Sequence, residues 1–308
     1  MPVLPTRFSA ATVSRVALVN LIVNGLIVVT GGAVRLTGSG LGCPTWPRCT
    51  SSSLVPTRQL GVYGVIEFSN RTLNGLLGVV ALAILITVIR SARRDLRPWA
   101  LVSFLGIPAQ ALLGGISVLS KLNPWVVGCH FLLSSVLVAV ATLLWLRSRE
   151  PGVGQLIVRR PLVQLVHGVA LATAAVLVVG TVVTGSGPHA GDAHAKRTGL
   201  DPEQVAQLHA DLVFLLVGLT VALLLAFAAT DAPGRVRRAA RDLLVVELAQ
   251  GLIGFVQYFT KLPVALVLVH MLGAVLITVY AARLVWSVRG PSSEVPLDSP
   301  AQPAAATR

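Results

Sequence analysis

Three histidines stand inside otherwise apolar stretches, and a neutral imidazole is the side chain that most readily ligates a transition metal or a haem iron. His130 lies near the start of Pro124–Arg147, PWVVGCHFLLSSVLVAVATLLWLR, and His270 takes the same place in Pro263–Trp286, PVALVLVHMLGAVLITVYAARLVW. The third, His209, falls in VAQLHADLVFLLVGL. Each one alone could equally be a hydrogen-bonding group between helices. Glu67, Asn70 and Arg71 fall within one helical turn of IEFSNRTLNGLLG, so Glu67 shares a face with both of the others. That carboxylate either pairs with Arg71 at i,i+4 or faces a polar cavity together with Asn70. Cys43 and Cys49 sit in a Gly- and Pro-rich run, GGAVRLTGSGLGCPTWPRC at 31–49, where an oxidising compartment permits a disulfide and metal binding is the alternative. Cys129 reads as a buried apolar thiol.

The elements that must position these residues follow from composition. The chain is 54% hydrophobic and only 12% charged, whereas a soluble domain carries roughly 25% charged residues. Apolar windows of about 20 residues, enough to cross a bilayer, recur eight times: 15–34, 66–89, 99–118, 125–146, 163–183, 206–229, 242–260 and 264–286. The seventh is the weakest, because Glu247, Gln250 and Gln257 interrupt it. The +13 net charge does not point to nucleic acid, because the cations sit in alternate loops. Arginines at 90, 93, 94 and 97, at 147, 149, 159 and 160, and at 235, 237, 238 and 241 share one side with those at 7, 15, 289 and 308. The other side's loops hold only Arg48, Arg58, Lys121, Lys196, Arg197 and Lys261. The positive-inside rule therefore predicts that both termini are cytoplasmic. No cleavable signal is expected, and the Pro-, Ser- and Ala-rich tail reads as disordered.

An internal repeat organises the windows. Gln110 and Gln250, Gly114 and Gly254, Lys121 and Lys261, and His130 and His270 are each 140 positions apart, and TGSG at 37–40 returns at 184–187. This predicts an all-α membrane protein of eight transmembrane helices, arranged as two tandem, pseudo-symmetric four-helix bundles of the same orientation. The expected division is a cytoplasmic segment 1–14, an N-terminal half 15–147, a linker 148–162, a C-terminal half 163–286 and a tail 287–308. Spans 2, 4, 6 and 8 then run from outside to inside, with Asn70, His130, His209 and His270 in their first two turns. His209 and His270 would face each other at one level, as a bundle holds a haem iron from both sides. Zinc would require a larger ligand set than is evident at that depth. The N-terminal half repeats the frame with Asn70 in place of one imidazole, which leaves an open iron position beside Glu67. One closed and one open haem suggests electron transfer from the first to chemistry at the second. His189 and His194 flank Asp192 in an outer loop and read as metal ligands or loop hydrogen bonders, and His167 has no assigned role.

With these motifs in place, the chain resembles the haem A synthase family, membrane enzymes that convert haem O to haem A for cytochrome oxidase. The resemblance rests on GGAVRLTGSGLGCPTWPRC at 31–49, IEFSNR at 66–71, TGSGPHAGD at 184–192, and His130, His209 and His270, and it extends over about 15–286. It implies a haem b held by His209 and His270, and substrate haem O in the N-terminal half beside Glu67, with His130, Asn70 and Arg71 around it. It implies a Cys43–Cys49 disulfide and oxidation of a ring methyl to a formyl group by successive hydroxylation, with oxygen from dioxygen or water. The implied partners are haem O, haem A, membrane lipid, haem O synthase, the cytochrome oxidase assembly machinery and an electron donor. The implied location is a bacterial plasma membrane, with the haem sites towards the outside. Many members carry Glu-x-x-His where this chain has Glu67-x-x-Asn70, so His130 is expected to hold the substrate alone. The alternative is a two-haem b-type electron-transfer cytochrome that forms no product. A transporter lacks support, since the spans are not broken by Gly and Pro at mid-membrane.

Overall fold

Long aliphatic runs close their backbone hydrogen bonds internally, as a lipid environment demands, and the result is eight long helices. A computed structural model describes residues 7–150 and 154–290. The helices are α1 (Ala10–Leu36), α2 (Gly61–Ile89), α3 (Arg97–Leu119), α4 (Pro124–Arg149), α5 (Arg160–Ser186), α6 (Pro202–Ala229), α7 (Gly234–Phe259) and α8 (Val264–Ser287). Side chains set several of their starts. Ser9 accepts the Thr12 amide at 3.2 Å, Asn123 accepts the Trp125 amide at 3.0 Å, and Asp201 accepts the Glu203 amide at 2.9 Å. Pro124 and Pro202 occupy first-turn positions, where a missing N–H costs nothing.

Seven of the described helices are long and apolar enough to cross a membrane; α7, expected as the seventh of eight spans, is long but falls short in apolarity. It starts at Gly234, ahead of the apolar window at 242, and carries Arg235, Arg237, Arg238 and Arg241 in its first turns. Arginine and alanine are good helix formers, so the helix continues past the point where its sequence stops being apolar. The outward faces of the bundle are apolar, with Leu26, Leu112, Leu171, Phe214 and Leu252 each more than half exposed. That is the surface a lipid solvent accepts.

Helix α1 packs on α2, α4 and α8; α3 packs on α2 and α4; α5 packs on α4, α6 and α8; and α7 packs on α6 and α8. α4 and α8 also pack on each other, so the two helices carrying His130 and His270 lie side by side at the centre. Leu77, Ala81, Ile107 and Leu137 form one patch of core, while Val166, Leu216, Leu223, Phe227, Leu243 and Leu284 belong to a larger one. Buried Asn20 donates to Ser103 at 3.1 Å and ties α1 to α3.

The turns before α4 and α8 are built alike. Lys121 and Leu122 have φ of 53° and 58°, and Lys261 and Leu262 have 62° and 59°. A side-chain-bearing residue in this left-handed region costs about 1–2 kcal/mol. Each turn offsets part of that by the same closure. The Leu122 amide donates to the Ser117 carbonyl at 2.8 Å, and the Leu262 amide donates to the Gln257 carbonyl at 2.7 Å.

The tail expected from 287 begins as ordered chain. Ser287 completes α8, and Arg289–Gly290 pairs antiparallel with Gln155–Leu156 of the linker. The remainder of that tail, 291–308, lies outside the described residues, as do 1–6 and 151–153. Cys129, expected to be buried, is exposed instead, because its position on α4 points away from the neighbouring helices.

Candidate functional site

Each of the four positions singled out in the spans lies against a glycine of the preceding helix. A Cβ on Gly114 of α3 would lie 3.0 Å from Cε1 of His130, and one on Gly254 of α7 would lie 3.4 Å from Cε1 of His270. On Gly180 of α5 it would lie 3.2 Å from Cε1 of His209, and on Gly31 of α1 it would lie 3.9 Å from Nδ2 of Asn70. The missing side chain makes a seat in which a flat ring can lie against a helix backbone. A second device fixes the two central histidines. Gln110 Nε2 donates to the His130 carbonyl at 2.8 Å, and Gln250 Nε2 donates to the His270 carbonyl at 2.7 Å. Gln110 also donates to the Ser134 hydroxyl, whereas the Gln250 side chain packs against Gly273.

The three rings are half-buried, and Nδ1 of each is fully buried without a hydrogen bond. The buried nitrogen points into the packing. Among the described residues, no group of three or more His, Cys, Asp or Glu could hold a metal ion. Histidines in ones and twos are too few for zinc but suit an iron whose other four ligands are porphyrin nitrogens. The residues present therefore fit a haem.

Asn70 is different. Its amide oxygen accepts the Thr30 hydroxyl at 2.8 Å, which ties the side chain back to α1. An amide is a poor iron ligand, and this one is already engaged.

Glu67, only 6% exposed, forms the ion pair that was one of the two alternatives. Its Oε1 accepts Arg71 Nη2 at 2.5 Å and Nε at 3.1 Å, and its Oε2 accepts the Cys43 amide. Arg71 goes on to donate to the carbonyls of Cys43 at 3.0 Å, Thr45 at 3.0 Å and Arg48 at 3.3 Å. Cys43 and Cys49 are joined by a disulfide. The pair on α2 thus clamps the whole disulfide loop, whose Trp46 ring packs on Gly115 of α3, next to the seat of His130.

The loop after α1 is also tied to the segment that follows α5. Arg35 donates to the carbonyls of His189 at 2.6 Å and Thr184 at 2.8 Å, and Gly40 donates to the Gly191 carbonyl at 2.8 Å. His189 Nε2 bonds the Leu262 carbonyl at 3.0 Å, so its role there is loop packing. His194 lies 3.5 Å from Asp192 with its ring almost fully in solvent, and His167 is exposed.

Comparison with known proteins decides the family. The profile of COX15-CtaA, described as cytochrome oxidase assembly protein, matches residues 14–282. The chain belongs to the COX15-CtaA family. Among curated members it is 30% identical over 161 residues to the Heme A synthase of an Exiguobacterium species, covering 51% of this chain and 53% of that one. It is 35% identical over 122 residues to the Heme A synthase of Listeria welshimeri, covering 38% and 40%. Against that of Exiguobacterium sibiricum it is 33% identical over 122 residues, covering 39% and 40%. The matched segments thus span about half or less of these relatives' length.

Within the COX15-CtaA frame, several residues that shape the site went unnoticed in the sequence. Gly31, Gly180 and Thr30 carry no local signature, and Gly114 and Gly254 stand out in the repeat without showing what they seat. Gln110 and Gln250 were visible as members of the 140-residue repeat, but not their bonds to the His130 and His270 carbonyls. Glu247 is 2% exposed on α7, with Oε1 accepting the Thr220 hydroxyl at 2.9 Å and Oε2 unpartnered.

Proposed function

We propose that this chain oxidises a ring methyl of haem O to a formyl group by successive hydroxylation, giving haem A for cytochrome oxidase. It works as two tandem, pseudo-symmetric four-helix halves in a bacterial plasma membrane, with both termini cytoplasmic and both haem sites towards the outside. Family membership and relatives named Heme A synthase support the chemistry. The observation that carries the division of labour is the unequal pair of frames: two glycine-seated imidazoles, His209 and His270, against one, His130, facing an engaged Asn70.

His209 and His270 would hold a permanent haem b, which supplies one-electron transfer. His130 would hold haem O by one face, and Asn70 leaves the other face open. Glu67 and Arg71 fix the disulfide loop over that half and help to exclude water from it. Glu67 is the catalytic carboxylate in this reading, with Oε2 as the atom that exchanges a proton, because only the Cys43 amide holds it. Haem O synthase and the oxidase assembly machinery are the expected neighbours, and an electron donor is required.

A second reading, a two-haem b-type electron-transfer cytochrome, draws support from the ion pair, since a carboxylate committed to Arg71 can be wholly structural. Co-expression with a haem O source, followed by extraction and chromatography of the haems, separates the two. Hydroxylated and formyl haems are expected. Haem O accumulating alone would overturn the enzyme reading.

A further inference from the structure

At the end of the N-terminal half remote from the disulfide loop, a cavity of about 340 Å³ opens between the start of the chain and the α2–α3 connection. Four of its lining residues are arginines, Arg7, Arg90, Arg94 and Arg97, and none is acidic. Four guanidiniums around one cavity repel one another, so the arrangement needs a reason. One ordinary reason is a helix C-terminus, whose free carbonyls attract cations. Here those carbonyls are already taken. Arg97 donates to the Ile89 carbonyl at 3.3 Å, Ser91 Oγ donates to that of Val88 at 2.8 Å, and the Phe8 amide donates to that of Arg90 at 3.1 Å. The other ordinary reason is a nearby acid. The one at hand, Asp95, is held by Arg93 through both oxygens at 2.9 Å. Among the described residues, Arg7, Arg90 and Arg94 have no carboxylate partner, although Arg90 also lies over the Phe8 ring at 5.7 Å.

The cavity is not purely polar. Ile89, the last residue of α2 and half exposed, forms part of its lining and continues the apolar outer face of that helix. Cations clustered where a lipid-facing helix ends are placed to meet a negatively charged headgroup, with the acyl chains along the helix. Guanidinium forks match phosphate oxygens in a bidentate fashion. We propose that this cavity binds a phosphate group, as the headgroup of an anionic phospholipid or as free phosphate, and that Arg90 and Arg94 supply the contacts that matter most.

The test uses the purified full-length chain in detergent, titrated with phosphatidylglycerol, phosphatidylcholine or inorganic phosphate and read by native mass spectrometry. One saturable phosphatidylglycerol is expected per chain. In the double variant R90Q/R94Q its affinity should fall by about tenfold or more, as loss of two charge-assisted contacts implies. The control R237Q/R238Q, which removes the same charge from the first turns of α7, should leave it unchanged. Both pairs are exposed, and circular dichroism checks that each variant keeps its helices. Inorganic phosphate that binds saturably and displaces the lipid identifies the free anion as a ligand; lipid binding untouched by phosphate identifies the headgroup. Equal affinity in wild type and R90Q/R94Q, equal weakening by R237Q/R238Q, or equal retention of phosphatidylcholine would each overturn the proposal.

Discussion

The two halves of the chain seat their key residues in the same way and differ in what the seats hold. In the C-terminal half, glycines on α5 and α7 receive two imidazoles, His209 and His270. In the N-terminal half, glycines on α1 and α3 receive Asn70 and His130. The buried acids differ in the opposite sense. Glu67 has Arg71 on Oε1 and the Cys43 amide on Oε2, while Glu247 has one oxygen on Thr220 and one unpartnered. A repeat that keeps its glycine seats but holds Asn70 where the other copy holds His209 could keep one haem permanently and the other exchangeable. That is the physical content of the proposed division of labour.

The sharpest way to break the comparison is to remove or exchange ligands. His270→Ala, which removes one of two ligands, should abolish the haem b absorption of the purified protein, whereas His130→Ala should leave it intact. Both variants losing haem b equally would mean that the halves do not divide the work. The exchange Asn70→His should make the first frame a copy of the second. It is expected to give the substrate haem a second ligand, read as a change from high-spin to low-spin iron in the haem O-loaded protein.

The two buried glutamates, which are not counterparts in the repeat, give a smaller contrast. Glu67→Gln leaves Arg71 without its charge partner and should cost about 1–3 kcal/mol of stability, the range for losing a hydrogen bond to a charged group. Glu247→Gln keeps an acceptor for Thr220 and should change stability by less than about 1 kcal/mol. Thermal unfolding of both variants in one detergent checks the difference, and a larger loss for Glu247→Gln would reverse the assignment.

The glycine seats give the finest test. Alanine favours helix over glycine by about 1 kcal/mol. Gly254→Ala places its Cβ at an ordinary 3.4 Å from His270 and should be neutral or mildly stabilising, with haem b retained. Gly114→Ala places it at 3.0 Å from His130, so the ring must shift. Haem O loading, measured by extraction, should fall in Gly114→Ala and not in Gly254→Ala.

Much of this was legible in the chain itself. Apolar length alone marks the helices, since a lipid-facing backbone leaves few alternatives. The 140-residue offset that joins His130 to His270 also joins the two Lys-Leu turns, whose left-handed backbone is the same in both copies. Helix ends were less legible. α7 extends to Gly234 because arginine and alanine sustain a helix beyond the apolar window. The role of Glu67 was left between two readings, because the i,i+4 spacing shows Arg71 but not the loop carbonyls that Arg71 also binds. The seats were invisible for a related reason. A glycine on one helix acquires meaning only from the ring that the next helix brings against it.

The most direct measurement is the electron paramagnetic resonance spectrum of the oxidised full-length protein loaded with both haem b and haem O. The account expects one low-spin, six-coordinate signal, removed by His209→Ala or His270→Ala, and one high-spin signal, removed by His130→Ala. Two low-spin, six-coordinate signals in the unmodified protein would contradict it, because Asn70 would then leave no open face on the substrate.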